Sequence, residues 1–362
     1  MIRAWVKSAA AIALSSTGLD EILGRVKHGR TPLIVTYHRV VDDYHRAACT
    51  SLPAMLVSTR TLESHLDWLG QRFDFAPLDE VASRPRGALA SRPLASITFD
   101  DGYRDVYENA FPLLQRKGIP FTVFMTTDLV GTSGGHVHDR LFSELSRVRS
   151  RDVALPRMVE LLTRVGIPPL EAQHLAQLPP VHSTPRLLGR LKRSRVLWLV
   201  EMLHQEAKNG LPRGESLQML TWGMLRRLQA SGVTIGSHTR SHVWLTQEDS
   251  GVCESELRGS RVALERHLGR PVQHFAYPAG CFDHRVVRLV RDAGFDYGYT
   301  TCLHRDAALP QLTIPRKVFW EGTCMDLRGR FSTSIMSCAA HRVFDRDDCD
   351  HDRLMRYSRR TG

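Results

Sequence analysis

The sequence of 362 residues contains no hydrophobic run long enough to cross a membrane as a helix, and it has no internal repeats. Its seven cysteines are odd in number, and no two of them form a Cys-x-x-Cys pair. A disulfide framework and a zinc knuckle are therefore both disfavoured, and free thiols suit a reducing compartment. We accordingly expect the protein in the cytoplasm or at the cytoplasmic face of a membrane.

A nucleic-acid motif with interleaved aromatic residues is also absent, although the formal net charge is +11. We therefore expect no nucleic-acid partner. The positive charge instead favours attraction to acidic lipid head groups or to a lipid-phosphate-linked substrate, which would make the protein a peripheral membrane protein.

The first 31 residues predict an amphipathic helix over residues 2–26, with Leu19, Ile22, Leu23 and Val26 on one face. The alternative is a weak signal sequence, because basic residues precede a short apolar stretch at residues 9–14. We divide the rest of the chain into a domain over residues 32–335 and a charged, poorly ordered C-terminal tail over residues 336–362.

Apolar strand patterns alternate with helical patterns along residues 32–335. The predicted strands are 32–37, 73–78, 95–99, 120–125, 233–236, 273–277, 297–301 and 313–319. The predicted helices are 58–72, 106–117, 221–230, 255–268 and 284–293. This alternation predicts an α/β fold with a parallel sheet, either a barrel or an open sheet. Residues 136–215 read instead as a helical insertion broken by prolines.

Four notable segments lie at the ends of predicted strands, at residues 37–39, 100–102, 237–242 and 278–280. Functional groups of α/β folds lie at the carboxyl ends of strands. This shared placement is stronger support for a site than any one of the four segments.

Two of these segments carry chemistry suited to a metal. Asp100 and Asp101 are adjacent carboxylates that repel each other unless a cation compensates, although an Asp-Gly turn is the commoner origin of such a pair. His238 and His242 would share one face of a helical turn, although surface or capping histidines also occur at this spacing. Two imidazoles and one carboxylate leave positions open for water and substrate, as in catalytic metal sites.

Three motifs together resemble the polysaccharide deacetylases, the NodB-homology family also called carbohydrate esterase family four. They are residues 98–102 (Thr-Phe-Asp-Asp-Gly), 237–242 (Ser-His-Thr-Arg-Ser-His) and 275–280 (Phe-Ala-Tyr-Pro-Ala-Gly). Residues 37–40 (Tyr-His-Arg-Val) are similar to a feature of exopolysaccharide-type members. The likeness extends from about residue 32 to about residue 320.

The resemblance implies a distorted, incomplete (β/α) barrel and a set of residue roles. Asp100 would be the catalytic base, and Asp101, His238 and His242 would bind a divalent metal. We expect zinc, with cobalt, manganese or iron as alternatives. The third motif would form one wall of the substrate groove through Tyr277, Pro278 and Ala279.

The chain departs from the family pattern at two places. Ala276 stands where the third motif often carries an arginine that orients the catalytic aspartate, and we expect Arg316 to supply that charge from a late strand. A surface arginine on an edge strand is the alternative interpretation of Arg316. The late Leu-x-His motif that provides a general acid is not clear. His304 and His38 are the candidates. The alternative interpretations are a surface-loop histidine for His304 and a core or loop histidine for His38.

The expected function is the metal-dependent hydrolysis of N-acetyl groups from amino sugars of a polysaccharide or lipid-linked glycan. A non-catalytic glycan-binding protein on the same barrel is the alternative. The complete Asp-Asp and His-x-x-x-His set favours the enzyme.

Overall fold

Buried β-branched and aromatic runs form the strands of this fold. The computed structural model describes residues 10–28, 32–83, 92–150, 153–207 and 217–345. The strands are β1 (Leu33–Tyr37), β2 (Arg39–Val41), β3 (Leu56–Ser58), β4 (Asp74–Phe75), β5 (Leu94–Phe99), β6 (Phe121–Met125), β7 (Thr234–Ser237), β8 (His274–Ala276), β9 (Tyr297–Thr300), β10 (Ile314–Pro315) and β11 (Lys317–Val318).

Parallel pairing joins the strands in the order β10-β9-β8-β7-β6-β5-β1-β11, with β4 beside the start of β5. β2 and β3 form a separate two-stranded sheet. Because all strands of the main sheet are parallel, their carboxyl ends meet at one rim.

The two ends of the main sheet are consecutive parts of one segment. β10 pairs with β9, and β11 pairs with β1 on the opposite edge. Arg316 lies between them, and its backbone N–H donates to the carbonyl of Thr300 at 2.7 Å. The sheet is therefore nearly closed into a barrel with helices around it, which confirms the predicted fold class.

Helices follow most strands, as the predicted βαβ pattern requires. They comprise residues 10–16, Leu19–His28, Tyr44–Ala47, Thr59–Gly70, Leu78–Ser83, Phe111–Lys117, Trp222–Ala230, Ser250–Leu268, His284–Asp292 and Thr333–Ala340, with a π-helical turn at Val106–Ala110. Ser58 caps the helix that follows it, because its hydroxyl accepts from the N–H of Thr61 at 3.2 Å.

The predicted helical insertion is present, and it has its own apolar core. Its helices are Val137–Ser150, Leu155–Arg164, Pro169–Gln177, Pro180–Leu188 and Arg193–Glu206. Leu141, Leu161, Leu187 and Leu199 are fully buried between these helices. The end of the predicted range, residues 208–216, lies outside the described residues.

The N-terminal prediction of one helix over residues 2–26 is wrong in its continuity. The described part forms two helices, 10–16 and Leu19–His28, and Gly18 between them has a φ of 70°. A left-handed residue cannot continue a right-handed helix, so the chain bends there. Residues 1–9 and 29–31 lie outside the described residues.

The start of the tail and the extent of one strand also differ from the prediction. Residue 336, where the tail was predicted to begin, lies inside helix Thr333–Ala340. Met336 and Cys338 of this helix are buried. Residues 346–362 lie outside the described residues. The strand predicted over 73–78 covers only Asp74–Phe75, because Leu78 begins a helix. In the part of the chain that the structure describes, no helix has the length and apolar character needed to cross a membrane.

The close packing of β7 generates a stability prediction. A Cβ on Gly236 would lie 2.5 Å from the ring of Phe124 and 3.0 Å from the carbonyl oxygen of His274. We expect Gly236→Ala to lower the free energy of unfolding by about 1–3 kcal/mol, measured by urea denaturation, because the buried ring has no room to move. Gly251→Ala is the control, since no described atom other than its chain neighbours and the nearby backbone of its own helix lies within 4 Å of the added Cβ. Equal midpoints for both variants and the parent would contradict this packing.

Candidate metal and catalytic site

The turn after β5 places two adjacent carboxylates at the rim of the barrel. The N–H of Asp100 donates to the carbonyl of Tyr37 at 2.9 Å, which fixes the turn to the end of β1. Asp101 and Gly102 both have left-handed backbones, with φ of 74° and 78°. The left-handed backbone favours glycine at residue 102, and a Cβ there would also lie 2.3 Å from the sulfur of Met125, whose side chain would have to move.

Arg316 holds Asp100 in a bidentate ion pair. Nη1 and Nη2 each donate to one carboxylate oxygen at 2.7 Å, and Nη1 also lies 3.2 Å from the hydroxyls of Thr36 and Thr98. Arg316 is fully buried, and Asp100 is 3% exposed. The contact that the sequence predicted between the two side chains is thus present, while the role of the pair stays a prediction.

The environment of Asp100 keeps its carboxylate charged. Burial by itself raises the pKa of Asp100, but the Arg316 guanidinium and then His238 lower it, so the net pKa lies below its ordinary value. Asp100 is therefore ionised at neutral pH and can accept a proton.

Asp101 faces imidazoles instead of a guanidinium. Its Oδ1 lies 3.5 Å from Nε2 of His238 and 3.2 Å from Nε2 of His242, and its side chain is fully buried. Burial raises the pKa of Asp101, but the surrounding imidazoles lower it to well below its ordinary value. The structure thus brings together the three predicted metal ligands.

His238 presents a defined nitrogen to this cluster. Its backbone N–H donates to the carbonyl of Met125 at 2.8 Å, and its Nδ1 lies 2.7 Å from the carbonyl of Ala276. A carbonyl only accepts hydrogen bonds, so Nδ1 carries the proton and Nε2 offers its lone pair toward Asp101. Metal-binding histidines commonly have this arrangement.

The segment from His238 to His242 is a loop, so the helical turn predicted for it is wrong. Thr239 and His242 are both left-handed, with φ of 66° and 61°. Glu256 stabilises the loop by accepting from the N–H groups of Arg240 and Ser241, each at 2.9 Å. The two imidazoles are brought together by these bends, with ring centroids 4.9 Å apart.

Two further histidines, which the sequence reasoning missed, complete the cluster. His136 and His138 lie at the start of helix Val137–Ser150 and are buried, with their rings stacked at 4.9 Å. Nε2 of His138 lies 3.9 Å from Oδ2 of Asp101. A His-x-His pair after two glycines was the available signal, but a spacing of two predicts no shared helix face.

Burial sets the protonation of most of these rings. It lowers the pKa of His136 and of His138 to about 3, and that of His238 to about 4, so all three are neutral at neutral pH. Burial also lowers the pKa of His242, but the Asp101 carboxylate outweighs it and the net pKa is raised. Neutral imidazole is the form that binds metal ions.

The remaining predicted residues divide into those at the rim and those in the core. His38 follows β1 and lies near Asp100. Burial raises the pKa of Asp100, whereas Arg316, His238 and, to a smaller extent, His38 lower it. Ala279 is exposed and left-handed, with a φ of 55°. Tyr277 is fully buried, and its hydroxyl donates to the carbonyl of Leu312 at 2.8 Å.

The prediction of a substrate-facing wall is therefore wrong for the Tyr277 side chain, which packs in the core. Pro278 is buried as well, so only Ala279 of the three is open to a ligand. His304 is exposed, and its ring stacks on Phe282 at 5.7 Å.

The cluster has the properties of a metal site. Both carboxylate oxygens of Asp101 and Nδ1 of His136 are buried without a hydrogen-bond partner among the described residues. Leaving such an atom unpaired costs about 1–3 kcal/mol, which a bound cation would offset. Asp101, His238 and His242 each offer a ligand atom within 4.8 Å of the others, so the residues fit a divalent ion.

A family model described as polysaccharide deacetylase matches residues 89–162 and 178–298, more than half of the chain. The matched range contains both aspartates and the whole histidine cluster. His38 and Arg316 lie outside it.

Curated relatives align over a shorter part. The poly-beta-1,6-N-acetyl-D-glucosamine N-deacetylase of Staphylococcus aureus (strain N315) is 27% identical over 129 residues, which are 33% of this chain and 42% of that protein. YxkH of Bacillus subtilis (strain 168) is 26% identical over 133 residues, which are 36% of this chain and 46% of that protein. The chain thus spans less than half the length of these relatives.

Solved structures share the fold over most of the chain. IcaB from Ammonifex degensii aligns with a TM-score of 0.52 and 18% identity, covering 86% of this chain and 97% of that one. The Streptococcus pyogenes deacetylase PplD aligns with a TM-score of 0.51 and 17% identity, covering 81% and 93%. At these identities the likeness supports the fold alone.

The Arg316–Asp100 pair predicts a specific dependence of stability on pH. The pKa of Asp100 is lower in the folded state than in the unfolded state. Pairing with Arg316 therefore stabilises the fold fully at pH values above the unfolded-state pKa of Asp100. This stabilisation is lost as the pH falls through the folded-state pKa. Arg316→Lys replaces a bidentate fork by a point charge. The pKa of Asp100 in the folded state should then rise, so the acid-dependent loss of stability should be smaller and complete at a higher pH.

Urea denaturation across the acidic range would measure this change. At neutral pH we expect Arg316→Lys to lower the free energy of unfolding by about 1–3 kcal/mol. Arg261→Lys is the control, since Arg261 pairs with Glu265 at 3.0 Å on a partly exposed face. In an Asp100→Asn background, Arg316→Lys should move the pH profile no further. A shift that persists in that background would assign it to another group.

Proposed function

Because the chain belongs to the polysaccharide deacetylase family, we propose that it is a metal-dependent enzyme that hydrolyses N-acetyl groups of amino sugars. One observation carries the proposal. Two adjacent buried carboxylates have different partners: Asp100 pairs with Arg316, and Asp101 faces imidazoles. One carboxylate is thereby suited to proton transfer and the other to metal binding.

Asp101, His238 and His242 would hold the divalent ion in this proposal. Zinc is our first assignment because imidazole and carboxylate suit it, with cobalt, manganese and iron as alternatives. When bound, such an ion polarises an acyl oxygen and lowers the pKa of water.

Asp100 would act as the general base. Each of its oxygens accepts one N–H from Arg316, which leaves a second lone pair on each oxygen for a proton. Asp100 takes a proton from the attacking water, whose oxygen forms a bond to the acetyl carbon. Arg316 positions the carboxylate and keeps it ionised until that step.

The second half of the reaction needs a proton donor and an anion site. His38 lies beside the site at the end of β1, and we assign it the proton that the departing nitrogen receives when the C–N bond breaks. The backbone N–H of Ala279 is assigned to the carbonyl oxygen as negative charge develops there. The products are acetate and a free amino sugar.

The proposed substrate is an N-acetylated polysaccharide or lipid-linked glycan. An exopolysaccharide of N-acetylglucosamine is the first to test, because a relative is named for deacetylating poly-beta-1,6-N-acetyl-D-glucosamine. We propose no nucleic-acid partner.

Peripheral binding to an anionic membrane surface is a second part of the proposal. Helix Leu19–His28 exposes Leu19 (45%), Ile22 (54%) and Val26 (78%), and the chain carries a net charge of +11. An apolar helix face on a basic protein suits an acidic lipid surface.

We place the protein in the cytoplasm or at the cytoplasmic membrane face, a placement that the free thiols of Cys49 and Cys253 favour.

Release of acetate from β-1,6-linked N-acetylglucosamine oligomers tests the enzymatic proposal. We expect the zinc-loaded parent to release acetate, and Asp100→Asn to bind zinc normally but lose activity by about 100-fold or more, because an amide cannot accept the proton. Asp67→Asn is the control, since Asp67 is an exposed helix residue.

Near-normal acetate release by Asp100→Asn would remove this residue from the mechanism. A parent that binds N-acetylated oligomers but releases no acetate from any of them would favour a glycan-binding protein over an enzyme.

Cosedimentation with vesicles tests the membrane proposal. We expect the parent to bind vesicles of phosphatidylglycerol and phosphatidylcholine more tightly than phosphatidylcholine alone, and less tightly as salt increases. The double variant Ile22→Glu/Val26→Glu should weaken binding at least about tenfold, because two apolar side chains no longer enter the lipid. Val262→Glu, at an apolar residue that is 51% exposed on another helix, should bind like the parent. If the double variant bound the anionic vesicles as tightly as the parent, this helix face could not be the membrane-binding surface.

A further inference from the structure

A partly exposed tryptophan follows β11, and the mechanism proposed above does not use it. β11 pairs with β1 in parallel, with Thr36 opposite Val318, and the N–H of Phe319 donates to the carbonyl of Thr36 at 2.9 Å. Trp320 comes two residues after Val318, so it lies at the rim where the carboxyl ends of the strands meet. Continuing the same register by two residues brings Trp320 opposite His38, the residue assigned as the proton donor.

The alternation of side chains along this segment determines which way Trp320 faces. Arg316 points into the barrel, where it pairs with Asp100. Phe319 points to the outer face, because its ring packs 5.5 Å from that of His65 on helix Thr59–Gly70. Successive side chains of an extended chain alternate between two faces, and Trp320 is extended, with φ of −149° and ψ of 174°. Trp320 therefore lies on the same face as Arg316, at the mouth of the barrel.

Two hydrogen bonds and a glycine fix the position of the Trp320 ring. The N–H of Trp320 donates to the hydroxyl of Thr323, and the N–H of Thr323 donates to the carbonyl of Trp320, each at 2.9 Å. A Cβ on Gly322 would lie 2.4 Å from Cη2 of the indole, so the ring packs against this glycine. Gly322 does not have a positive φ, so the ring, and not the backbone conformation, favours glycine here.

Glu321 ties the same turn to the body of the barrel. Its carboxylate accepts from the backbone N–H of Ser58 at 2.7 Å, and from the hydroxyls of Ser58 and Thr61 at 3.2 and 2.8 Å. The turn is thereby linked to the N-terminus of helix Thr59–Gly70. Trp320 is thus a partly exposed aromatic side chain that is held in one place before a ligand arrives, which lowers the cost of binding.

A sugar ring has the chemistry that such a surface binds. Pyranose rings with equatorial substituents, such as β-linked glucosamine, carry an apolar face of axial C–H groups. When this face packs on an aromatic ring, the apolar surface of both partners is removed from water. The hydroxyl groups stay at the edge of the sugar, where water or polar side chains form hydrogen bonds with them.

We propose that Trp320 is a sugar-binding platform at the mouth of the barrel, and that it holds the pyranose ring that carries the reacting N-acetyl group. The inference rests on the proposed deacetylase function and specifies how that site binds its substrate. Because Trp320 lies opposite His38, a sugar ring on the indole keeps its nitrogen near the assigned proton donor. Trp320 lies outside the range that the family model matches.

Binding of N-acetylglucosamine oligomers in an Asp100→Asn background tests the proposal without turnover. The background protein, Trp320→Ala, Trp320→Phe and Gly322→Ala would be loaded with zinc and titrated with β-1,6-linked oligomers by calorimetry. Trp198→Ala is the control, because Trp198 is 40% exposed on the helical insertion. Zinc affinity and thermal unfolding, measured for every variant, establish whether the metal site and the fold are intact.

We expect Trp320→Ala to raise the Kd for the oligomers by about 10–100-fold, because the apolar contact of one aromatic side chain is lost. Trp320→Phe should recover part of this loss, since a smaller ring still offers an aromatic face. Gly322→Ala should also weaken binding, because the added Cβ displaces the indole. The control should bind like the background protein. In protein with an intact Asp100, the effect of Trp320→Ala should appear mainly in KM.

Equal Kd values for Trp320→Ala and the background protein would overturn the inference, and acetate release by the parent would leave the proposed function standing. If Trp320→Ala does not fold, normal oligomer binding by both Trp320→Phe and Gly322→Ala would overturn it instead. A parent that releases no acetate, together with a background protein that binds none of the oligomers, would remove both the inference and the proposed function.

Discussion

Two adjacent carboxylates buried at the end of one strand are the constraint on which the rest of this structure depends. Asp100 and Asp101 are 3% and 0% exposed, so neither charge can be screened by water. One monovalent cation would compensate only one of the two negative charges. The fold gives each its own partner: Arg316 on one side, and a group of imidazoles on the other.

The closure of the barrel and the pairing of Asp100 have the same structural origin. Arg316 is the residue between β10 and β11, where the last segment leaves β9 and joins β1. Its side chain contacts Thr36 on β1, against which this segment closes, and Thr98 and Asp100 on and after the neighbouring β5. Loss of the ion pair would therefore affect both the charge of Asp100 and the seam of the barrel. The helical insertion also contacts the site, through His136, His138 and the Tyr103–Asp139 hydrogen bond.

Much of this arrangement could be predicted because it depends on local pattern. Buried apolar runs predicted the strands, and polar residues at their ends predicted which side chains share a rim. The Arg316–Asp100 contact was predicted from the family resemblance, because Ala276 stands where the third motif often carries an arginine. The bends at Thr239 and His242 could not be predicted, because a spacing of four residues suggests a helix and nothing local indicates left-handed backbones. His136 and His138 were missed since only tertiary packing brings the insertion to Asp101. Tyr277 was misplaced because a strand-end motif does not say which side chains turn inward.

The central claim is that Asp101 and the histidines bind one divalent ion while Asp100 stays paired with Arg316. Anomalous diffraction at the zinc edge, from crystals of the full chain grown with Zn²⁺, tests it most directly. The account predicts one strong peak in contact with Asp101, His238 and His242, with the Asp100–Arg316 pair intact. A peak centred on Asp100, or none in this cluster while zinc binds elsewhere, would contradict it.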